Sequence, residues 1–379
     1  MVARFGVLCA VVTLAVALAA CAAGVPTAGR AGAAPAAPSG ASAAAAAAPA
    51  AAPAVAVAPT EPPPLATLKI AAQPSISSAP RYIALDRGYL REAGIDLEEV
   101  ASTTSAQMLP SLAAGQIDMG VGGVTSGLFN AVAQSIPVRM TLAMWSATPS
   151  DRAGGLIIRK DLADSGQVRD WGDLAGLRIA ITSKGHETQL ALDKALRKGG
   201  LSVDDVETTE LSYPDMNVAL GNQNIEGAIT IEPYASLGVL KGFAARFKVW
   251  YDLIPNDTPA AIMFSEDLVE ARTDLARRFA VAYVRGLRDY DQARTTGKDR
   301  EAIIGIIEQH VPFLERPMYD QIPWPAVDPD GRVNAEVIGA AQDWFSEHGY
   351  VQTKVDISKV VDNQFADYAV AQLGPYGRK

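Results

Sequence analysis

Cysteine is nearly missing from this 379-residue chain. The two present are Cys9 and Cys21, so no residue after position 21 can join a disulfide, act as a thiol nucleophile or offer a thiolate to a metal. Histidine is scarce too: His186, His310 and His348 are scattered, none lies in an HExxH pattern, and G-x-S-x-G and P-loop motifs do not occur. These gaps leave no catalytic signature, no metal site and no cofactor site to argue from. No Lys/Arg-rich run exists and the formal net charge is −9, which removes a nucleic-acid footprint and gives no support for a basic membrane-surface helix. The one long apolar run before the linker, Phe5 to Leu18, is too short for a comfortable membrane span.

That run follows Arg4 and has the shape of a secretory signal over residues 1–20. It ends Leu18-Ala19-Ala20-Cys21, which resembles the bacterial lipobox, where the cysteine thiol receives the lipid and becomes the first mature residue. Cys21 is therefore the expected lipidation site; the alternative is an ordinary cleaved signal. Residues 21–66 are mostly Ala, Pro, Gly and Ser, with Arg30 and Glu61 the only charges. Such a stretch cannot bury a core and reads as a disordered tether between a membrane anchor and the folded part.

Beyond the tether two stretches say nearly the same thing. In Gln107 to Asn130, Met108, Leu109 and Leu112 recur at helical spacing up to Gly115. Ile117, Met119 and Val121 then alternate like a strand until Gly122-Gly123, and Thr125 or Ser126 can cap a new helix. Met216 to Leu240 repeats this order, with a stop at Gly221, a strand through Ile225, Ala228 and Ile229, and a helix opening near Pro233. Ile117-Asp118 and Ile225-Glu226 hold equivalent places. Two such units about a hundred residues apart suggest two α/β lobes with mostly parallel sheets, and ligands of such sheets sit at the carboxyl ends of the strands.

The remaining chain fits that scheme. Strands are expected at Leu68–Ala72, Ile95–Val100, Val138–Trp145, Leu156–Arg159, Arg178–Thr182, Phe247–Tyr251 and Ala260–Phe264, and a helix through Tyr82, Ile83, Leu85, Tyr89 and Leu90. Interlobe crossings fall at Ser146–Ala153 and Asp252–Pro259. The expected division is lobe 1 over 67–148, lobe 2 over 149–256, and a return to lobe 1 with carboxyl-terminal helices over 257–379. Those helices include Ala335–His348 and Lys359–Leu373, whose apolar residues brace both lobes.

The order of pieces resembles the type II periplasmic solute-binding proteins of ABC importers, in particular the nitrate, sulfonate, taurine and thiamine-pyrimidine-precursor group. Its carriers here are YIALDRGYLREAGIDLEEV from Tyr82, SLAAGQIDMG from Ser111, DLAGLRIAI from Asp173, IEPYAS from Ile231 and DNQFADYA from Asp362. The resemblance covers about Leu68 to Leu373. It implies an α/β clamshell of two Rossmann-like lobes joined by two crossovers, a monomer that closes on a small molecule and presents it to an importer permease with its ATPase, outside the cytoplasm. Two enzymes related to this fold depend on cysteines that are missing here, which favours a binding protein. A lipoprotein sensor on the same clamshell is the other alternative.

Candidate ligand groups follow from the expected strand ends. The first lobe offers Ser77, Ser78, Gln107, Thr125 and Ser126 as hydroxyl and amide partners, each hydroxyl also being a candidate helix cap. Trp145 either stacks on a ligand ring or fills the interlobe core. Arg152 at the crossing is a partner for an anion or a plain surface arginine. The second lobe offers Ser183, His186 and Glu187 in SKGHET, and Glu232 with Tyr234 in IEPYAS. The resemblance implies that residues before the EPY proline line the cleft, which makes Glu232 the leading polar candidate. Sulfonate-like anions, taurine and nitrogenous aromatic molecules all remain open.

Overall fold

The computed structural model describes residues 63–101, 105–312 and 314–377. The expected signal, Cys21 and the expected tether up to residue 62 lie outside the described residues, and so does the side chain of Gln107. The strands are β1 Ala66–Ala72, β2 Ile95–Ala101, β3 Met119–Gly122, β4 Val138–Trp145, β5 Gly155–Arg159, β6 Arg178–Ile181, β7 Glu207–Glu210, β8 Gly227–Thr230, β9 Ala244–Lys248 and β10 Ala260–Ser265. They form two five-stranded sheets, ordered β2-β1-β3-β10-β4 and β7-β6-β8-β5-β9. No described helix is long and apolar enough to cross a membrane.

The sheets are mixed, one strand of each running against the other four. Parallel ladders join β1 to β2 and β3, and β6 to β7 and β8. The other ladders, β10 on β3 and β4, and β5 on β8 and β9, are antiparallel. The reason is topological. A strand arriving straight from the other lobe starts at the end of the sheet where the parallel strands finish, so it must run against them.

The internal repeat extends to single hydrogen bonds. The Asp118 amide donates to the Lys69 carbonyl, and the Asp118 carboxylate accepts from the Lys69 amide at 2.7 Å. The Glu226 amide likewise donates to the Arg178 carbonyl, and the Glu226 carboxylate accepts from the Arg178 amide at 3.0 Å. Each carboxylate also pairs with arginine, Arg272 in the first lobe and Arg178 with Arg159 in the second. These acids close the entry of the third strand of each lobe against the first, at the end away from the carboxyl termini of the strands. Their chemistry is structural.

Three local expectations change. The helix through Tyr82 to Leu90 divides into Ala79–Asp86 and Tyr89–Glu92, because Gly88 turns the chain at φ 78°. The strand at Phe247–Tyr251 is displaced: β9 ends at Lys248, and Trp250–Leu253 is a short helix whose Asp252 carboxylate accepts from the Val249 amide. The last helix is Gln364–Leu373, preceded by a 3-10 turn at Ile357–Lys359 that Asp356 caps.

Two large apolar clusters carry the packing. One fills the first lobe between its sheet and the helices Ala79–Asp86 and Thr273–Thr296, with Tyr82, Phe264, Phe279, Tyr283 and Phe365 almost wholly buried. The other runs through both lobes, joining Leu128 and Phe129 of the first, Leu190 and Ala191 of the second, and Trp344 and Phe345 of the carboxyl-terminal region.

Candidate functional site

The second lobe presents three helix starts in one register. β6, β7 and β8 are followed by helices Glu187–Lys198, Tyr213–Gly221 and Tyr234–Leu240, so Glu187, Tyr213 and Tyr234 are each the first helical residue after a parallel strand. His186 caps the first helix and Ser212 the second, each through its side chain. The Tyr213 and Tyr234 rings stack with centroids 5.9 Å apart and planes 20° from parallel. Burial, with the nearby Glu187 charge, pushes the Tyr213 phenol up. Glu187 is itself buried; desolvation first, then the Asp257 carboxylate, raise its pKa well above the usual carboxylate range and favour the protonated acid.

The opposing wall is made of hydroxyls. After β1, the Ser75 hydroxyl lies 3.0 Å from that of Ser77 and 3.1 Å from that of Ser78, and all three residues are buried. Thr125 caps the helix Ser126–Ala133 by accepting from the Leu128 amide at 3.2 Å. Arg81, buried in the helix after the serines, pairs with Glu99 while its Nε and Nη2 have no partner; Lys184 is exposed in the loop after β6, and the segment 102–107 contains no Lys or Arg in sequence. Arg246 is tied to Glu232 and to the Ser236 hydroxyl.

The lobes touch directly. The Ser126 amide donates to the Gly185 carbonyl at 2.8 Å, the Glu187 amide to the Val124 carbonyl at 3.0 Å, and the Val124 amide to the Glu187 carboxyl at 3.1 Å. Thr125 and His186 thereby form an isolated antiparallel bridge. A glycine on each side permits the approach: a Cβ on Gly123 would stand 2.2 Å from the Glu187 carboxyl, and one on Gly185, at φ 68°, 2.5 Å from the Ser126 hydroxyl. Thr125, Ser126, His186 and Glu187, four of the nominated residues, are thus brought together, and in this closed state they meet one another.

His186 is held neutral there. Burial depresses its pKa to about 4, and its Nδ1 accepts from the Thr188 amide at 3.2 Å. Because the folded value lies below the ordinary 6.5, the histidine contributes stability that is present above pH 6.5 and lost as pH falls toward 4. At pH 5 the loss is about 2 kcal/mol. His186→Asn keeps a good cap without the titration, so its stability difference from wild type is expected to shift in the variant's favour by that amount between pH 7.5 and 5. Urea denaturation at both values checks it; an unchanged difference would mean that His186 takes up its proton in the folded state.

The crossings carry a matched pair of indoles. The Trp145 Nε1 donates to Asp151 at 2.6 Å and the Trp250 Nε1 to Asp257 at 2.8 Å, while the two ring systems pack at 5.2 Å. Burial raises both aspartates to about 6. They act against His186, contributing stability that is present below pH 4 and lost as pH rises through 6; comparing His186→Asn with wild type cancels them. Trp145 therefore sits in the hinge core. Gly154 and Gly155 end the first crossing at φ 60° and 115°, where a Cβ would meet the Trp145 ring at 2.7 Å or the Lys248 carbonyl at 2.2 Å.

Arg152 is exposed and donates to the carbonyls of Pro149 and Asp151. Glu232 is buried with both oxygens engaged in its own lobe, one by Arg246 and the other by the Ser236 amide at 3.2 Å. Ser183 is half-buried in the loop after β6. Sequence reasoning passed over Ser75, Tyr213, Trp250 and Asp257. Tyr213 had a signal: it follows the Ser212 cap after a strand, as Glu187 follows His186.

Residues 75–292, more than half of the 379, match the family described as NMT1/THI5 like. The chain belongs to the NMT1/THI5-like family. This NMT1/THI5-like chain is 27% identical over 260 residues to a putative aliphatic sulfonates-binding protein of Escherichia coli (strain K12), covering 66% of the chain and 74% of that protein. It is 26% identical over 335 residues to the riboflavin-binding protein RibY of Chloroflexus aurantiacus, covering 83% and 90%. Its fold is that of the alkanesulfonate-binding protein SsuA from Xanthomonas axonopodis pv. citri, solved with MOPS, at TM-score 0.64 and 21% identity over 79% of this chain and 99% of that one. All three are named for binding rather than for catalysis.

Proposed function

We propose that this NMT1/THI5-like chain is an extracytoplasmic, lipid-anchored solute-binding protein that closes on a small molecule and delivers it to the permease of an ABC importer. Its solute is a planar nitrogenous ring compound rather than a small anion. The observation that carries this reading is the convergence of Glu187, Tyr213 and Tyr234 at three successive helix starts. Two stacked phenols give a flat apolar surface with polar tips, and a carboxyl favouring its protonated form both donates and accepts hydrogen bonds. An anion held in a closed, dry cleft needs a cation or several donors aimed at it; the serine hydroxyls and amides supply some donors, but Arg246 already faces Glu232. The riboflavin-binding relative, matched over 90% of its length, is consistent with a ring ligand.

Native mass spectrometry of freshly purified protein, followed by thermal shifts with a panel of neutral heteroaromatic compounds, alkanesulfonates, taurine and nitrate, tests the solute class. Ring compounds are expected to raise the melting temperature with the logarithm of concentration. Stabilisation by sulfonate or nitrate with no response to rings would overturn the ring assignment and leave the receptor role standing. For the anchor, the mature wild type is expected to begin at Cys21 with acyl chains in its intact mass, and Cys21→Ala to yield an unacylated product, since the thiol is the sole acceptor. A mature wild type without acyl mass would remove the anchor.

A further inference from the structure

We infer that residues 326–350 are a third connection between the lobes, one that keeps one flank of the cleft shut with or without solute, so that solute passes by the other flank. The segment first laces both crossings. The Ser146 amide donates to the Ala326 carbonyl at 2.8 Å, the Asp328 amide to the Ser146 hydroxyl at 3.1 Å, and the Asn334 amide to the Thr258 hydroxyl at 3.1 Å. A cavity of about 250 Å³ marks their meeting, lined by Ser146, Thr148, Asn256, Thr258, Asp328 and Asn334.

From there the helix Ala335–Glu347 spans the lobes. Toward the first, Phe345 packs on Phe129 at 6.0 Å. Toward the second, the Trp344 indole donates to the buried Asp193 at 2.8 Å. Its end reaches the direct lobe contact: the Tyr350 carbonyl accepts from Asn130 of the first lobe at 2.9 Å, the Tyr350 hydroxyl from Gln189 of the second at 3.0 Å, and the ring lies against Gly185. Trp344 and Phe345 belong to the apolar cluster that runs through both lobes. Parting the lobes on this flank would expose that core and strand a buried indole N–H, while Asp193 would keep only Arg197 of its own helix; two crossings alone would allow either flank to open. This inference is independent of which solute binds.

Hydrogen exchange of the full chain without added solute tests it, read at the amides of Ser126 and Glu187, which donate across the lobes. They are expected to exchange at least a hundred-fold more slowly than an exposed amide. In the double variant Trp344→Phe with Tyr350→Phe, which keeps an aromatic ring at each position and removes both bonds to the second lobe, they are expected to speed up at least ten-fold while the β10 amides do not change. Rapid exchange in the wild type would overturn the shut flank. Slow exchange that the double variant leaves unaltered, with the β10 amides as internal reference, would overturn the role of the 326–350 segment.

Discussion

Trp250→Ala is expected to lower the stability of the folded region by about 3 to 5 kcal/mol, the range for removing a fully buried tryptophan. Trp250 has no exposed surface, packs on Trp145, and satisfies Asp257 through its indole N–H. The deletion opens a cavity at the second crossing and leaves the buried Asp257 carboxylate with the Thr258 amide, at 2.8 Å, in place of two donors. Trp250→Phe retains most of the ring and loses the donor, so it should cost about 1 to 3 kcal/mol. Urea unfolding of both variants, followed by circular dichroism, separates the two contributions. A Trp250→Ala loss below about 1 kcal/mol would show that the hinge core collapses around the gap.

Tyr213→Ala is expected to weaken solute binding about a hundred-fold, or about 2.7 kcal/mol. Aromatic side chains dominate recognition by area and stacking together, and truncation of Tyr213 also frees Tyr234 from its partner ring. Tyr213→Phe preserves the stacked surface, and its loss should stay within about ten-fold, the usual worth of one neutral hydrogen bond. The measurement is calorimetric titration with whichever compound native mass spectrometry recovers, after confirming that each variant melts as a folded protein. Equal affinity of Tyr213→Ala and wild type would take the tyrosine pair out of the site and with it the argument for a ring.

The fold was largely readable because its signals are local. Hydrophobic alternation placed β4 over Val138–Trp145, and a hydroxyl before an apolar helix located the Thr125 cap. The repeated Ile-acid pair at 117–118 and 225–226 proved to be one structural device used twice, the carboxylate that ties the third strand to the first. The site was less readable for the opposite reason. Whether Glu232 faces a solute depends on Arg246, fourteen positions away on another strand, and no spacing rule links them. Trp145 offered either ligand stacking or interlobe core, and the choice rests on Trp250, more than a hundred residues later.

By itself the sequence determined the class of molecule: two α/β lobes in series, strand and helix identities, and a resemblance that the family match bears out. Periodicity and capping act within a few residues, so they survive in one dimension. Tertiary structure alone decided the antiparallel entry of β5 and β10, the meeting of Thr125 and Ser126 with Gly185 to Glu187, and the path of residues 326–350 across both lobes. Those features depend on which surfaces face each other after the chain has crossed twice, and contact between distant segments is set by packing that no local pattern encodes.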